Sequence, residues 1–286
     1  MFEIKKISID DENYPSLLRE IERPPKILYF LGEIKKREDC LAIVGTRKCS
    51  NYGKQIALEI AGQLSEAGLT IVSGFAPGID TFSHLGTIER GKRTIAVLGT
   101  GLDFPSIYPK SNLKLVEKIL EKGGCLISEY PPGTRGAKFT FPERNRIISG
   151  LSLGVLVVEA RKKSGALITA RYAFSQKKKV FAIPGSIFSK TSKGCHYLIK
   201  KGAKLVETAE DILKELKIEK KIEKEKIEGE NEKELLILNT LKEGPLNVDK
   251  IREKTKLPIK VVLAYLSILE IKDKVRNLGG QVYGLK

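Results

Sequence analysis

Four strand-like runs in the first two thirds of the chain each break off into a small or basic turn, and that repetition points to an open, largely parallel sheet. The runs are Leu41–Gly45 followed by Thr46-Arg47-Lys48, Thr70–Ser73 followed by Gly74, Ala96–Gly99 followed by Thr100-Gly101, and Val155–Glu159 leading into Ser164-Gly165-Ala166. In such a sheet the carboxyl ends of the strands form the ligand crevice, so the residues after each strand decide what binds. Here they are Gly, Ser, Thr and Arg. Glycine lets backbone N–H groups come close to an oxygen, and the helix that follows adds its positive N-terminal end at the same point. The ligand these turns favour is phosphate.

Strands alternate with helical patterns from Leu41 onward, and residues 52–67, with Ile56, Ile60, Ala61 and Leu64 on one face, form the clearest amphipathic helix. Further strands over 94–98, 125–128, 155–158 and 180–183 predict about six parallel strands. A helix over Tyr14–Ile21 and an edge strand over Lys26–Gly32, joined by Pro24-Pro25, form a short N-terminal extension, residues 1–40. The expected fold is α/β: a parallel-sheet domain over 41–213, a charged Lys/Glu linker over 214–234, and a winged-helix module over 235–286 built from three helices and a Gly279-Gly280 hairpin.

Net charge narrows the class of phosphate. The chain carries +16, divided as +12 on residues 1–213, −1 on 214–234 and +5 on 235–286, so both folded parts are basic. That favours nucleic acid over a small metabolite, although abundant Lys and Glu also suit a merely charged surface. The last helix of the winged module is poor in base-reading side chains: from Pro258 to Leu269 its only charged residue is Lys260. A major-groove helix needs Arg, Asn, Gln or Lys at base edges, so a protein contact or weak backbone contact suits the module better. Cys40, Cys49, Cys125 and Cys195 form no C-x-x-C pair, and with His84 and His196 they offer neither zinc spacing nor a disulfide framework. No metal or cofactor is expected. With no membrane-length apolar run and no signal-peptide pattern, the expected location is the cytoplasm.

The segment Lys138–Gly150 is the most specific. Pro142 suits a first helical turn, which places Arg144, Asn145 and Arg146 near the positive helix end, with Lys138, Phe139 and Phe141 just before it. Cations that track phosphates beside rings that carry bases hold unpaired nucleic acid. An ordinary helix cap with the phenylalanines in the core is the alternative reading.

Ile43–Arg47, Ser73–Asp80, Thr94–Gly99, Ser128–Gly133, Phe141–Ile147, Ser164–Thr169 and Gly194–His196, in that order, resemble the DprA/Smf family of DNA-processing proteins. The resemblance runs from about Tyr14 to Leu213. It implies an extended Rossmann-like fold over 41–213 in a homodimeric, non-catalytic protein that binds and protects incoming single-stranded DNA and helps load RecA recombinase in natural transformation. Carried over by motif, Arg47, Lys138, Asn145 and Arg146 hold phosphates, Phe139 or Phe141 stacks on a base, and Gly165 and Thr169 donate to the next phosphate. With the turn residues Gly45, Thr46, Ser73, Gly74 and Ser164 and the helix residue Arg144, these complete the candidate DNA-binding set. One position departs: members usually carry Arg before Gly-Ile-Asp, where this chain has Pro77.

A different class is kept open. Nucleotide N-glycosidase-like enzymes of the lysine-decarboxylase-like Rossmann group share the fold, use a Gly-Gly-x-Gly-Thr loop, and would assign Glu159 or Glu143 to catalysis. Here the loop reads Glu159-Ala-Arg-Lys-Lys-Ser-Gly-Ala, without the double glycine. Asp80 and His84, one turn apart, read as a cap and a packed ring.

Overall fold

The structure, a computed structural model, describes residues 3–219, 231–272 and 274–285. The chain divides into two compact units, Met1–Glu223 and Lys224–Lys286.

The first unit opens with β1 (Lys5–Ser8), a short α1 (Ser16–Arg19) and β2 (Ile27–Gly32), then β3 (Cys40–Val44), α2 (Asn51–Glu66), β4 (Thr70–Ser73) and α3 (Ile79–Glu89). Next come β5 (Thr94–Leu98), α4 (Leu113–Glu121), β6 (Cys125–Ser128), α5 (Thr140–Gly150) and β7 (Gly154–Val157). It ends with α6 (Ala166–Ser175), β8 (Lys179–Ala182), α7 (Lys193–Lys200), β9 (Lys204–Leu205) and α8 (Ala209–Glu215). The nine strands form one sheet in the order β1-β2-β6-β5-β4-β3-β7-β8-β9. Pairing is parallel from β6 through to β9 and antiparallel for β1 with β2 and β2 with β6.

Two expectations change. The Lys26–Gly32 strand is not an edge: β2 is flanked on both sides, and the edge is β1, a run too short and polar to stand out in the sequence. The parallel strands number seven rather than six, the extra one being the two-residue β9. Of the charged linker, residues 220–230 lie outside the described residues; Lys214 and Glu215 complete α8, and Glu232 begins the next helix.

Strand order explains where a ligand belongs. From β3 the chain adds β4, β5 and β6 on one side, then returns to add β7, β8 and β9 on the other, so the connections diverge between β3 and β7. The crevice of a doubly wound sheet opens at that switch point, outside the carboxyl ends of the two strands. Both strands are buried along their whole length, as a sheet covered on two faces demands. Leu41 and Ile43 face a core shared with Ala57, Ile60, Ala61 and Leu64 of α2. Ala42 and Val44 face the opposite core, with Ile147 and Ile148 of α5 and Ala170 and Ala173 of α6.

The second unit holds α9 (Glu232–Thr240), β10 (Leu246–Asn247), α10 (Val248–Thr255), α11 (Ile259–Ile271), β11 (Val275–Asn277) and β12 (Val282–Leu285). Its strands pair in the order β10-β12-β11, and Gly279 and Gly280, at φ of +98° and +59°, make the tight turn of the wing. Val262, Leu266 and Leu269 of α11 enter its core, while Ile259, Leu263 and Ile271 on the same helix are exposed.

The α2–α3 pair packs so closely that a Cβ on Gly86 would lie 2.2 Å from the Leu58 carbonyl oxygen. In a free helix Gly→Ala stabilises by about 1 kcal/mol. Here the methyl meets backbone that cannot yield, and overpacking of this kind costs about 1–3 kcal/mol. Gly86→Ala is therefore expected to lower the melting temperature, a reversal of the propensity effect that thermal unfolding followed by circular dichroism checks.

Candidate nucleic-acid interface

A cleft of about 880 Å³ opens at the switch point. Its walls are the turn after β3 (Val44–Lys48), the loop after β5 (Pro105–Tyr108 and Lys110), the entry and first turns of α5 (Arg135–Lys138, Phe141, Pro142, Arg144, Asn145), and the loop from β7 into α6 (Arg161, Lys163–Ala166, Ile168, Thr169). Eight of the lining residues are Lys or Arg, and the single acid among them, Asp80, is buried. Cations gathered from separate turns around a concave surface raise the local concentration of a polyanion well beyond what the net charge alone achieves.

Backbone geometry explains the glycine and threonine of the first turn. A Cβ on Gly45 would meet the Ile79 side chain at 2.4 Å, so only glycine lets the chain leave β3 there. Thr46 N–H donates to the Glu159 carbonyl at 2.8 Å, and Thr46 carbonyl accepts from Ile79 N–H at 3.2 Å, which leaves Arg47 exposed at the rim with its guanidinium 5.6 Å from the Phe141 ring centroid. Opposite, Gly165 caps α6, a helix of 10 residues whose N-terminus opens into the cleft through Gly165, Ala166 and Thr169. Ser164 lies in the same wall, and Asn145 Nδ2 donates to the Gly165 carbonyl at 3.3 Å, tying α5 to it.

The structure thus brings together Gly45, Thr46, Arg47, Lys138, Phe141, Asn145, Ser164, Gly165 and Thr169. It places the five other candidates differently. Ser73 is fully buried and its hydroxyl donates to the Ile43 carbonyl at 2.6 Å, so it joins β4 to β3 beneath the cleft. Gly74 lies beside it, leaving room for Asp80 and Arg144, since a Cβ there would stand 2.3 Å from the Asp80 carboxylate. Arg144 is buried against Asp80, with its guanidinium on the Val97 carbonyl, so it supports the floor from below. Arg146 turns away from the cleft and pairs with Glu129 at 2.6 Å, its side chain only 11% exposed. An i, i+2 spacing on a helix separates side chains by roughly 200°, which is why two arginines that read as one clamp point apart. Phe139 is 64% exposed and lies outside the cleft lining.

The candidate set left out Lys110, Arg135, Arg161 and Lys163, and also Lys48, which the first basic turn had named; all five lie in the lining. The signal was present: each follows a strand by a few residues or sits in a Gly/Pro loop, where side chains reach the crevice.

The carboxylates and imidazole that suggested catalysis are engaged. Glu159 accepts from Ser50 N–H at 2.9 Å, Ser50 hydroxyl at 2.8 Å and Thr191 hydroxyl at 2.7 Å. Glu143 accepts from the Tyr130 hydroxyl at 3.2 Å. His84 Nε2 donates to the Gly74 carbonyl at 2.7 Å, and its Nδ1 lies 2.8 Å from the Thr94 hydroxyl. Burial holds His84 down at about 4 and pushes Asp80 up to about 6, the latter opposed by the neighbouring Arg144.

Known proteins resemble this chain along most of its length. Residues 5–217 match the profile of the DNA recombination-mediator protein A family, and residues 223–281 that of the DprA winged helix domain. The chain is 47% identical over 210 residues to the DNA processing protein DprA of Streptococcus pneumoniae, covering 73% of each chain. With the Bacillus subtilis protein of the same name it shares 45% over 217 residues, covering 74% of this chain and 71% of the other. Among solved structures, the X-ray structure of S. pneumoniae DNA processing protein A superposes with a TM-score of 0.70 at 44% identity, covering 74% of each chain. The Helicobacter pylori protein, whose structure concerns its unique single-stranded DNA binding mode, superposes with a TM-score of 0.68 at 31% identity, covering 77% of this chain and 98% of that one.

Two predictions follow from the geometry. Arg47→Ala is expected to weaken binding of every oligonucleotide sequence alike and flatten the salt dependence by about 0.7 of a unit, the value for one phosphate contact on a single strand. Arg146→Ala is expected to leave the slope unchanged and lower the melting temperature, because it removes the partner of Glu129. Titrations at several salt concentrations beside thermal melts check both.

The second concerns pH. His84, depressed in the folded state from 6.5, contributes stability that is lost as pH falls from 6.5 towards 4; Asp80, raised from 3.8, contributes stability that is lost as pH rises from 3.8 towards 6. The two contributions overlap with opposite sign and offset each other between about pH 4 and 6. In an NMR titration of this chain, which has only two histidines, the His84 resonances are expected not to shift until the pH is well below 6.

Proposed function

The chain belongs to the DNA recombination-mediator protein A family, and we propose that its cleft binds single-stranded DNA without catalysing a reaction. The observation that carries this reading is the cleft itself: seven exposed Lys and Arg residues at the mouth of the sheet above the buried Arg144, a helix N-terminus, and aromatic rings among them. Such contacts are satisfied by any nucleotide and use no base edge, which is the chemistry of sequence-tolerant single-strand binding. The H. pylori relative, described by its single-strand binding mode, supports the same reading. A nucleotide-cleaving role finds no free carboxylate at Glu159, whose two oxygens take up three donors.

In the cell, the bound strand is protected and handed to RecA recombinase during transformation, a role the recombination-mediator family supports. The buried free thiols of Cys40, Cys125 and Cys195 suit a reducing cytoplasm, and no helix among the described residues is long and apolar enough to cross a membrane. A homodimer is supported by the exposed Phe188, Tyr197 and Leu205 near the β9 edge of the sheet. The exposed Ile259, Leu263 and Ile271 of α11 fit a protein contact for the winged module better than base reading.

At physiological salt the full chain is expected to bind labelled oligothymidine more tightly than a blunt duplex of equal length, with little preference among oligonucleotides of different sequence. Competition measured by fluorescence anisotropy checks this, and duplex competing as well as oligothymidine overturns it. Nucleoside monophosphates incubated with the protein are expected to remain intact.

A further inference from the structure

The loop between β5 and α4 carries two rings at the edge of the cleft that the reading above leaves without a role. Tyr108 lines the cleft and is 51% exposed, while Phe104 is 71% exposed. The backbone beneath them is anchored. Asp103 accepts from the Ser106 hydroxyl at 2.7 Å and from Gly133 N–H at 2.6 Å, Gly101 N–H donates to the Thr134 carbonyl at 2.9 Å, and the Ser128 hydroxyl donates to the Thr100 carbonyl at 2.6 Å. Lys110 Nζ donates to the carbonyls of Phe104 and Pro105 at 2.8 and 3.0 Å and stands 5.6 Å from the Phe104 ring centroid. A ring held in water by a fixed backbone loses little freedom when a flat partner covers it.

Phe141, the ring that the sequence marked, is hemmed in. A Cβ on Gly136 would stand 2.7 Å from it and one on Gly99 3.0 Å, and the Arg47 guanidinium is 5.6 Å from its centroid. The Tyr108 ring lies 5.9 Å away with the planes at 56°, so no parallel slot exists between the two for a base to enter. Phe141 therefore seats Arg47 and braces Tyr108.

We propose that Tyr108 is the base-stacking platform of the cleft, and that Phe104, beside Lys110, continues the single-strand track outward along the same loop. The proposal rests on the single-strand reading and assigns its bases a path: phosphates along the Arg47 and α6 side, bases on the β5–α4 loop.

The chain has no tryptophan, so Tyr108→Trp gives an indole that is the only one present. Its fluorescence is expected to be quenched when oligothymidine binds. Tyr108→Ala is expected to lose about tenfold in affinity, the scale of one stacking contact, with salt slope and melting temperature unchanged, while Tyr108→Phe binds within twofold of wild type. Phe104→Ala is expected to weaken binding of oligothymidine of about ten nucleotides and leave that of about four nucleotides unchanged, since only the longer strand reaches it. An indole indifferent to bound oligothymidine, with Tyr108→Ala at wild-type affinity and Arg47→Ala still impaired, overturns the platform and leaves the cleft reading intact. Wild-type protein that binds no oligothymidine removes both.

Discussion

Glu159 stands just past the end of β7 with its side chain buried, and three donors converge on its carboxylate: the N–H and hydroxyl of Ser50, which caps α2, and the hydroxyl of Thr191, from the segment after β8. Its carbonyl accepts from Thr46 N–H in the turn after β3. One residue thereby fixes the ends of three neighbouring strands against each other at the switch point. A carboxylate withdrawn from water is tolerated only where hydrogen bonds replace its hydration, and these three supply that replacement. The positions of Arg47 and of the α6 N-terminus across the cleft both depend on this knot.

Beneath the cleft a second buried set sustains its charge. Asp80 and Arg144 are buried side by side next to Gly74, which leaves the space for both, and Arg144 reaches the Val97 carbonyl at the end of β5. His84 sits below, held between Gly74 and Thr94. The Gly-Ile-Asp motif thus contributes to the site by bracing its floor, and Pro77, exposed in the loop before α3, adds no cation there.

Much of this was legible in the sequence because it is encoded locally. Apolar runs ending in Gly45, Gly74 and Gly99 announce buried parallel strands, and Gly-Thr-Arg and Ser-Gly-Ala announce turns that face a ligand. What was not legible depends on distance in space. Arg144 and Arg146 look alike as text, yet one lies buried on the Val97 carbonyl beside Asp80 and the other pairs with Glu129 from beyond β6, and only the folded sheet decides where each goes. Tyr108 lies in a segment without periodicity or motif, and its place beside Phe141 is set by contacts from Asp103 to Gly133 that no local pattern reports.

Because the cations of the cleft come from separate turns, no continuous stretch of the chain holds the site on its own. Affinity for a strand is then affinity for the folded sheet alone, and by mass action every bound oligonucleotide withdraws protein from the unfolded pool. At a strand concentration a hundred times the dissociation constant this linkage amounts to about 2.7 kcal/mol, comparable to a sizeable part of the stability of an ordinary domain. A strand held in the cleft would in this way stabilise the fold that holds it.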